Sequence, residues 1–368
     1  MGQSWFRLTP VKMVIRGVAE DVLVFGGGYD ENQDRGNPRF ETTHTSDSRG
    51  RGLNIVRATT GQLLWSGLGL PGGSKTFADM NYGFNGNIRT IDINRDGYVD
   101  QMYAADVGGQ LWRFDMTPNH ADASVDLVHG GVIADISNDT PVNHRRFYNE
   151  PDVALIEGNG ERFLSLSIGS GWRANPLDEL TQDRLYMFRQ YAVYEKPAGY
   201  GKLSDTSYMP LAESDLVNVT SSVNPEVNKF GWFLDFQHSG EKVLGTSVTF
   251  DNTVIFTTYV PTAQTNACAA EIGSGRAYVM DVVNGAPVAN LDGSGSEVLS
   301  VNDLSKGLTR TGIPPDAMIL LTESGGDVPQ ILIGGEKLDA GVSNRTRRTF
   351  WSDEGKSGEL LVTGGEDD

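Results

Sequence analysis

Alternating oxygen-bearing side chains between residues 92 and 100 carry the clearest chemistry in this 368-residue chain. The stretch reads Asp-Ile-Asn-Arg-Asp-Gly-Tyr-Val-Asp, so side-chain oxygens stand at its positions 1, 3, 5 and 9. Calcium takes about six to eight oxygen ligands, and alternating carboxylates and amides suit it. Gly97, at position 6, permits the sharp turn that brings these oxygens together. The spacing therefore predicts a calcium-binding loop.

The side-chain ligands of this loop would be Asp92, Asn94, Asp96 and Asp100, and Tyr98 would offer its backbone carbonyl. An EF-hand loop carries Glu at position 12, but Tyr103 stands there, so the pattern is a nine-residue loop and not an EF-hand. Its flanks, 87–91 and 101–105, have the residue types of strands. We therefore expect the calcium loop to connect the two strands of a β-hairpin and to hold them together. The alternative is a solvated turn without an ion, because Asp, Asn and Gly favour turns in any case.

Other candidate sites in the sequence are weaker. Asp30, Asn32 and Asp34 alternate as calcium ligands do, but Arg35 replaces the turn glycine, so a second ion near 30–34 is disfavoured and left open. The glycines at 26–28 lack the spacing of a phosphate-binding loop. Ser170, between two glycines, fits a turn better than a nucleophile. No metal-binding spacing relates the five histidines, His44, His120, His129, His144 and His238.

Composition narrows the classes of protein that the chain could be. Asp and Glu number 48 against 30 Lys and Arg, a net charge of −18, which repels nucleic acid and anionic membranes and favours divalent cations, although it also serves solubility. No apolar run reaches the ~18–20 residues of a membrane-spanning helix. The single cysteine, Cys268, excludes an internal disulfide and a cysteine-based zinc cluster. The first residues lack the pattern of a signal peptide.

Many short strands with glycine-rich turns predict an all-β fold. Residues 31–52 are expected to form a surface insertion, and 177–185 is the one segment where a short helix is expected. A hairpin scheme recurs, with second strands at 54–58, 111–115, 185–189 and 277–281. The intervals exceed the ~40–45 residues of a regular propeller blade, so we expect a propeller with long loop insertions. The predicted strands lie at 22–25, 53–58, 63–65, 162–168, 183–188, 253–259, 275–281 and 330–333.

With these pieces placed, the chain resembles the C-terminal domain of the PilY family of type IV pilus biogenesis factors. The stretches that carry the resemblance are 24–30, 60–65, 92–115, 232–235, 240–244 and 347–351, of which 92–115 is the most specific. The resemblance implies a modified, quinoprotein-like β-propeller of about seven blades with one calcium-binding hairpin loop. It also implies that residues 1–368 are a single domain from a longer exported protein.

The resemblance further implies a role in pilus extension against retraction, in twitching motility and in surface adhesion, without catalysis. The implied calcium ligands are Asp92, Asn94, Asp96, Asp100 and the carbonyl of Tyr98. The implied partners are minor pilins, the pilus assembly machinery and a surface or host receptor, met at the pilus tip, the outer membrane or the cell surface after passage through the periplasm. The integrin-binding Arg-Gly-Asp triplet of some relatives does not occur, since residues 95–97 read Arg-Asp-Gly.

Two other classes share parts of this pattern. An FG-GAP propeller of integrin type uses the same nine-residue loop for adhesion, but repeats it in several blades, whereas the complete loop occurs once here. A quinoprotein dehydrogenase shares the Thr-Gly turn and following Trp of residues 60–65, but that class has adjacent cysteines near its cofactor and many more Trp repeats. The single cysteine and single full repeat disfavour the enzyme.

Overall fold

The computed structural model describes residues 1–31, 46–117, 126–138, 140–158, 160–197, 199–200, 208–262, 272–321 and 329–339. This part of the chain contains 21 strands and three short 3-10 helices, at Pro141–Asn143, Glu213–Asp215 and Val301–Leu304. The all-β prediction is therefore confirmed. No helix among these residues is long and apolar enough to cross a bilayer.

The strands form five sheets whose members follow one another closely along the chain. Sheet 1 contains β1 (Thr9–Ile15), β2 (Val18–Gly26), β3 (Gly52–Arg57), β4 (Leu63–Leu68) and β5 (Lys75–Thr76). Sheet 2 contains β6 (Arg89–Ile91), β7 (Gln101–Ala105), β8 (Gln110–Met116) and β9 (Val128–Asp135). Neighbouring strands are antiparallel except β4 and β5, which pair in parallel at the edge of sheet 1.

Sheets 3 to 5 repeat this plan. Sheet 3 contains β10 (Asp152–Gly158), β11 (Glu161–Gly169), β12 (Arg184–Gln190), β13 (Val217–Asn218) and β14 (Gly231–Asp235). Its order is β10-β11-β12-β14-β13, and its last pair is again parallel. Sheet 4 contains β15 (Val248–Phe250), β16 (Thr253–Val260), β17 (Ser274–Asp281) and β18 (Ser305–Thr311). Sheet 5 contains β19 (Met318–Leu320), β20 (Gln330–Ile333) and β21 (Glu336–Leu338).

A hydrophobic core lies between each pair of consecutive sheets. The inner strands are therefore buried on both faces. In sheet 2, Met102 and Trp112 pack towards sheet 1, whereas Tyr103 and Leu111 pack towards sheet 3. Successive side chains of a strand point to opposite faces, so one strand supplies two cores. The same holds at the next two interfaces, between sheets 3 and 4 and between sheets 4 and 5. The five sheets are therefore stacked face to face in chain order.

Tight turns between the strands explain part of the glycine and Asx content. Arg16 and Gly17 join β1 to β2 with φ of 51° and 80°. Asp251 and Asn252 join β15 to β16 with φ of 48° and 59°. Two consecutive residues with positive φ match the twist of the flanking strands, and Gly, Asn and Asp tolerate that conformation best.

The inner strands lie where the sequence predicts them, whereas the predicted helix is absent from the described residues. The predicted strands are confirmed in place, from 22–25 within β2 to 330–333 as β20. The helix predicted at 177–185 is wrong: the segment is irregular, with a turn and a bend, and leads into β12, which begins at Arg184. Most of the predicted insertion at 31–52, together with Cys268 and residues 347–351, lies outside the described residues.

Candidate calcium-binding loop

The candidate loop, residues 92–100, joins β6 to β7 at one end of sheet 2. These strands pair antiparallel, with Ile91 opposite Gln101 directly at the base of the loop. The predicted hairpin is confirmed, although its first strand begins at Arg89 and not at residue 87. Asn94, Asp96 and Gly97 are exposed, and Asp92, Tyr98 and Asp100 are half-buried.

Hydrogen bonds from the loop's own backbone fold it around its carboxylates. Asp92 accepts the N–H of Asp96 at 3.1 Å on Oδ1 and the N–H of Gly97 at 2.8 Å on Oδ2. Asp96 Oδ1 accepts the N–H of Tyr98 at 2.9 Å. Gly97 has φ of 90°, which side-chain-bearing residues rarely adopt, so glycine is required for this turn. Arg95 also has a positive φ, of 63°.

The side chains of three predicted ligands, Asn94, Asp96 and Asp100, contact one another within this hydrogen-bonded loop. Asp100 Oδ2 accepts the N–H of Ile93 at 2.9 Å and that of Asn94 at 3.3 Å, so the last residue of the loop closes back onto its start. The amide nitrogen of Asn94 lies 3.2 Å from Asp96 Oδ2 and 3.4 Å from Asp100 Oδ1. A hydrogen-bond donor thus stands between two carboxylates, at a position that attracts positive charge.

The electrostatics of the loop also favour a cation. Burial raises the pKa of Asp100 above its ordinary value, and the nearby negative charges of Asp96 and Asp92 raise it further, against the lowering effect of its two backbone hydrogen bonds. The Asp100 carboxylate is therefore harder to ionise because of its two charged neighbours. A divalent cation would remove this repulsion.

The side chains of the loop are of the types that bind calcium, and they lie close together. Their present hydrogen bonds, however, differ from the contacts that they would make as calcium ligands. No group of three or more His, Cys, Asp or Glu in the described part of the chain already has the spacing of a metal site. In the loop, Asn94 Oδ1 accepts the N–H of Asp96 at 2.8 Å, and its amide nitrogen faces the carboxylates. This amide would have to turn its oxygen inward to act as a ligand. Calcium binding therefore stays a prediction.

Apolar residues of the loop anchor it to both neighbouring cores, which sequence reasoning missed. Val99 is 9% exposed and packs in the core between sheets 1 and 2. Its N–H donates to the carbonyl of Lys12 in β1 at 2.9 Å. Ile93 packs against the core between sheets 2 and 3. The signal was present in the sequence, since apolar residues fill positions 2 and 8 between the polar ones.

Two of the weaker candidate residues, Asp30 and Ser170, have structural roles in this fold. Asp30 is buried, and its Oδ2 accepts the N–H groups of Ser48 at 2.6 Å and Arg49 at 3.0 Å. Its proposed companions Asn32 and Asp34 lie outside the described residues. Ser170 is buried, and its hydroxyl donates to Asp183 at 2.7 Å, which braces a turn.

The remaining candidates do not come together. Gly28 donates its N–H to the carbonyl of Phe84 at 3.0 Å, so the glycine run is used in backbone packing. Among the histidines, His144 is buried, His238 contacts Glu241 at 2.8 Å, and burial lowers the pKa of His129. His44 and His120 lie outside the described part of the chain.

No protein-family model matches the chain. It is 25% identical over 341 residues to the type IV pilus biogenesis factor PilY1 homolog of Xylella fastidiosa (strain Temecula1 / ATCC 700964). The match covers 85% of this chain and 21% of the relative, so the chain spans about a fifth of the length of that curated protein.

By fold, the chain is similar to the crystal structure of the Pseudomonas aeruginosa PilY1 C-terminal domain. The TM-score is 0.55 at 16% sequence identity, and the match covers 91% of this chain and 71% of the other. The two comparisons confirm the resemblance to the PilY family that the sequence predicts. The fold of this chain is therefore similar to that of a PilY1 C-terminal domain.

Proposed function

We propose that this chain is a calcium-binding β-propeller domain of a type IV pilus biogenesis factor. The observation that carries the proposal is the loop at 92–100, where the carboxylates of Asp96 and Asp100 converge in a fold similar to that of the PilY1 C-terminal domain. The name of the Xylella relative supports the pilus assignment.

The propeller is supported by the stacking of consecutive four- and five-stranded sheets around shared cores. Antiparallel sheets that follow one another in chain order and pack face to face are typical of blades. We propose about seven blades and a single domain over residues 1–368, as part of a longer exported protein. An experimental structure of the chain tests both statements. A sheet stack that does not close into a ring would contradict the propeller, and two separately folded parts would contradict the single domain.

Within the loop, Asp92, Asp96 and Asp100 would hold the ion with Asn94 and the Tyr98 carbonyl, and the ion, when bound, would supply the positive charge that offsets their repulsion. The apolar neighbours of these ligands extend the effect beyond the loop. Val99 lies in one inter-sheet core and Ile93 borders the next, so ordering the loop also orders contacts of sheet 2 on both sides.

This arrangement fits a two-state latch. A ligand shifts an equilibrium between two states only by its difference in affinity for them. The ordered loop brings the carboxylates together, and a disordered loop would separate them, so the ordered state would bind calcium more tightly. The latch would present or release a surface for minor pilins or the assembly machinery, without catalysis, and thereby support pilus extension, twitching motility and adhesion at the pilus tip, outer membrane or cell surface.

A substitution in the full-length protein of its own bacterium tests this function. Asp96→Ala should reduce surface pili and twitching while protein level and fold stay unchanged. Disabling the retraction motor should restore pili if the defect lies in the balance between extension and retraction. The exposed carboxylate Glu297 offers a matched control, since Glu297→Gln also removes one negative charge. Normal piliation in an Asp96→Ala strain whose protein binds no calcium would refute the latch.

A further inference from the structure

A cavity of about 400 Å³ opens where the segments leading into the first strands of the sheets meet. Asn87 precedes β6, Asn149 precedes β10, Thr246 precedes β15 and Asp316 precedes β19, and all four line the cavity. Its volume lies in the range of small-molecule pockets, about 300–1,000 Å³. The cavity is therefore built by successive sheets together.

Hydrogen bonds between these leading segments fix the lining. Asn87 Oδ1 accepts the N–H of Arg7 at 2.7 Å. Asn149 donates from Nδ2 to the carbonyl of Gly245 at 2.8 Å, and Asp316 Oδ1 accepts the N–H of Thr246 at 2.8 Å. Each bond joins two consecutive sheets. The polar side chains are consequently held in place before any ligand arrives, which lowers the entropic cost of binding.

Aromatic side chains form another part of the lining. The rings of Tyr29 and Tyr148 lie 5.9 Å apart and tilted by 44°. Trp5 is 72% exposed, although tryptophan is highly buried on average. Its indole N–H donates to Gln3 at 3.2 Å, and Gln3 pairs with Tyr29 through two backbone hydrogen bonds of 2.8 Å. An exposed indole is thus held beside a polar cavity.

Asn85 supplies the most specific observation. Its side chain is 2% exposed and lines the cavity, yet neither its amide nitrogen nor its amide oxygen has a hydrogen-bond partner. Buried amides almost always have partners, because leaving them unpaired is costly. Both atoms are closed to solvent, so a turn of the Asn85 side chain towards the cavity would let a ligand that both donates and accepts satisfy them together. A sugar hydroxyl does both.

We propose that this cavity binds a saccharide unit. Hydroxyl groups would pair with the amide of Asn85 and with the carboxylate of Asp316, and the apolar C–H face of the sugar ring would lie against the indole of Trp5. Arg173 and Asp316 bring opposite charges to the lining, which does not select a strongly charged ligand. The mixture of amides, one carboxylate and aromatic rings matches a hydroxyl-rich ring better than a lipid chain.

This site is separate from the calcium loop. Residues 85–87 lead into β6 and the loop 92–100 follows it, so the two lie at opposite ends of the same short strand. At about 3.3 Å per residue, the five residues from Asn87 to Asp92 span ~16 Å. Saccharide binding can therefore succeed or fail independently of calcium binding.

Saturation-transfer NMR and a glycan array test the proposal on the intact chain. The probes are free glucose, galactose, mannose and N-acetylglucosamine, followed by arrayed glycans that end in them. We expect at least one probe to bind, with and without EDTA. Its affinity should fall at least about tenfold in Trp5→Ala, because the stacking surface is lost. Binding that disappears in EDTA would assign the effect to the calcium loop and overturn the proposal.

Two further variants separate binding from folding. Asn85→Ala removes an amide that makes no hydrogen bond, so it should weaken saccharide binding without lowering the melting temperature. Tyr194→Ala removes another exposed aromatic ring, 57% exposed and not part of the cavity, and should bind as the unchanged chain does. Absence of binding to every probe, or equal loss in Tyr194→Ala and Trp5→Ala, would overturn the proposal.

Discussion

The backbone N–H of Val99 donates to the carbonyl of Lys12 at 2.9 Å, and this bond ties the candidate calcium loop of sheet 2 to the first strand of sheet 1. The side chain of Val99 enters the core between the same two sheets. One residue, placed between the candidate ligand positions 98 and 100, therefore belongs both to the loop and to the inter-sheet core. Any change in the order of the loop must alter this contact.

Shortening Val99 should reduce stability without abolishing calcium binding. Val99→Ala removes two buried methyl groups from a side chain that is 9% exposed, and we expect a loss of about 1–2 kcal/mol in the free energy of unfolding. Urea unfolding in EDTA measures this loss. Calorimetry should show a calcium Kd within about threefold of the unchanged chain, because no ligand oxygen is removed. A loss of all calcium binding would mean that the core contact itself holds the ligands in place.

Calcium should raise the melting temperature of the chain, because a ligand that binds only the folded state stabilises it by mass action. At a free concentration of about 100 Kd, the stabilisation is about 2.7 kcal/mol. Scanning calorimetry in calcium and in EDTA measures the difference. Asp96→Ala should remove the response, whereas Glu297→Gln, which changes net charge equally, should keep it. Identical melting in calcium and EDTA for the unchanged chain would exclude a stabilising ion.

Asp100 should contribute more to calcium affinity than Asn94. Asp100 is half-buried and closes the loop by accepting two backbone N–H groups at its start, whereas Asn94 is exposed and brings no charge. Asp100→Ala should weaken binding at least about tenfold more than Asn94→Ala, measured by calorimetry. Equal losses would indicate that closure by Asp100 is unimportant. Circular dichroism checks that both variants keep the strand content.

Local pattern made the loop and the inner strands predictable from the sequence. Positions 92 to 100 are contiguous, and strands such as β16 are long apolar runs, so both signals lie within one window. The helix expected at 177–185 is wrong because a single window of sequence does not contain the distant contacts that shape this segment. Contacts from distant parts of the chain hold the segment in an irregular path, such as the bond from the N–H of Gln182 to the carbonyl of Val142.

The cavity could not be predicted in this way. Trp5, Asn85 and Asp316 are separated by up to 311 positions, and they meet only because consecutive sheets start on the same side. The strand β1 was also missed, because Pro10 and Lys12 interrupt its run of apolar residues. Most of its side chains are only partly buried, because β1 lies at the edge of its sheet. Long-range pairing, which decides both features, leaves little trace in a single window.

The buried carboxyl of Asp183 should make stability depend on pH. Burial raises its pKa to about 6, against the hydrogen bond from Ser170 and the charge of Lys242, which lower it. The folded state therefore holds this proton more tightly than the unfolded state, whose pKa is ~3.9. As pH rises from about 4 to about 6, this contribution to stability is lost, and it stays lost above that range.

Asp183→Asn removes the titration but keeps an oxygen for the Ser170 hydroxyl. Its free energy of unfolding, relative to the unchanged chain, should therefore rise by about 2 kcal/mol between pH 4.5 and pH 7.5. Urea unfolding at four pH values across this range measures the difference. Glu297→Gln serves as the control and should show no such trend. Parallel curves for Asp183→Asn and the unchanged chain would contradict the raised pKa.

Two glycines allow backbone strain to be separated from ion binding. Gly97, in the loop, has φ of 90°, and Gly335, in the turn between β20 and β21, has φ of 92°. A methyl group added at either position would meet no atom within 4 Å, so alanine is disfavoured only by its backbone conformation. Gly97→Ala and Gly335→Ala should each cost about 1–2 kcal/mol of stability in EDTA.

Calcium should distinguish these two variants. Gly335→Ala leaves the loop unchanged, so the ion should still raise its melting temperature by the full amount. In Gly97→Ala, relaxation of the strained φ would move the N–H groups that Asp92 and Asp96 accept, and the carboxylates would no longer converge. We expect a calcium Kd at least about tenfold higher, measured by calorimetry. Equal calcium responses in both variants would show that the turn at Gly97 is not what gathers the ligands.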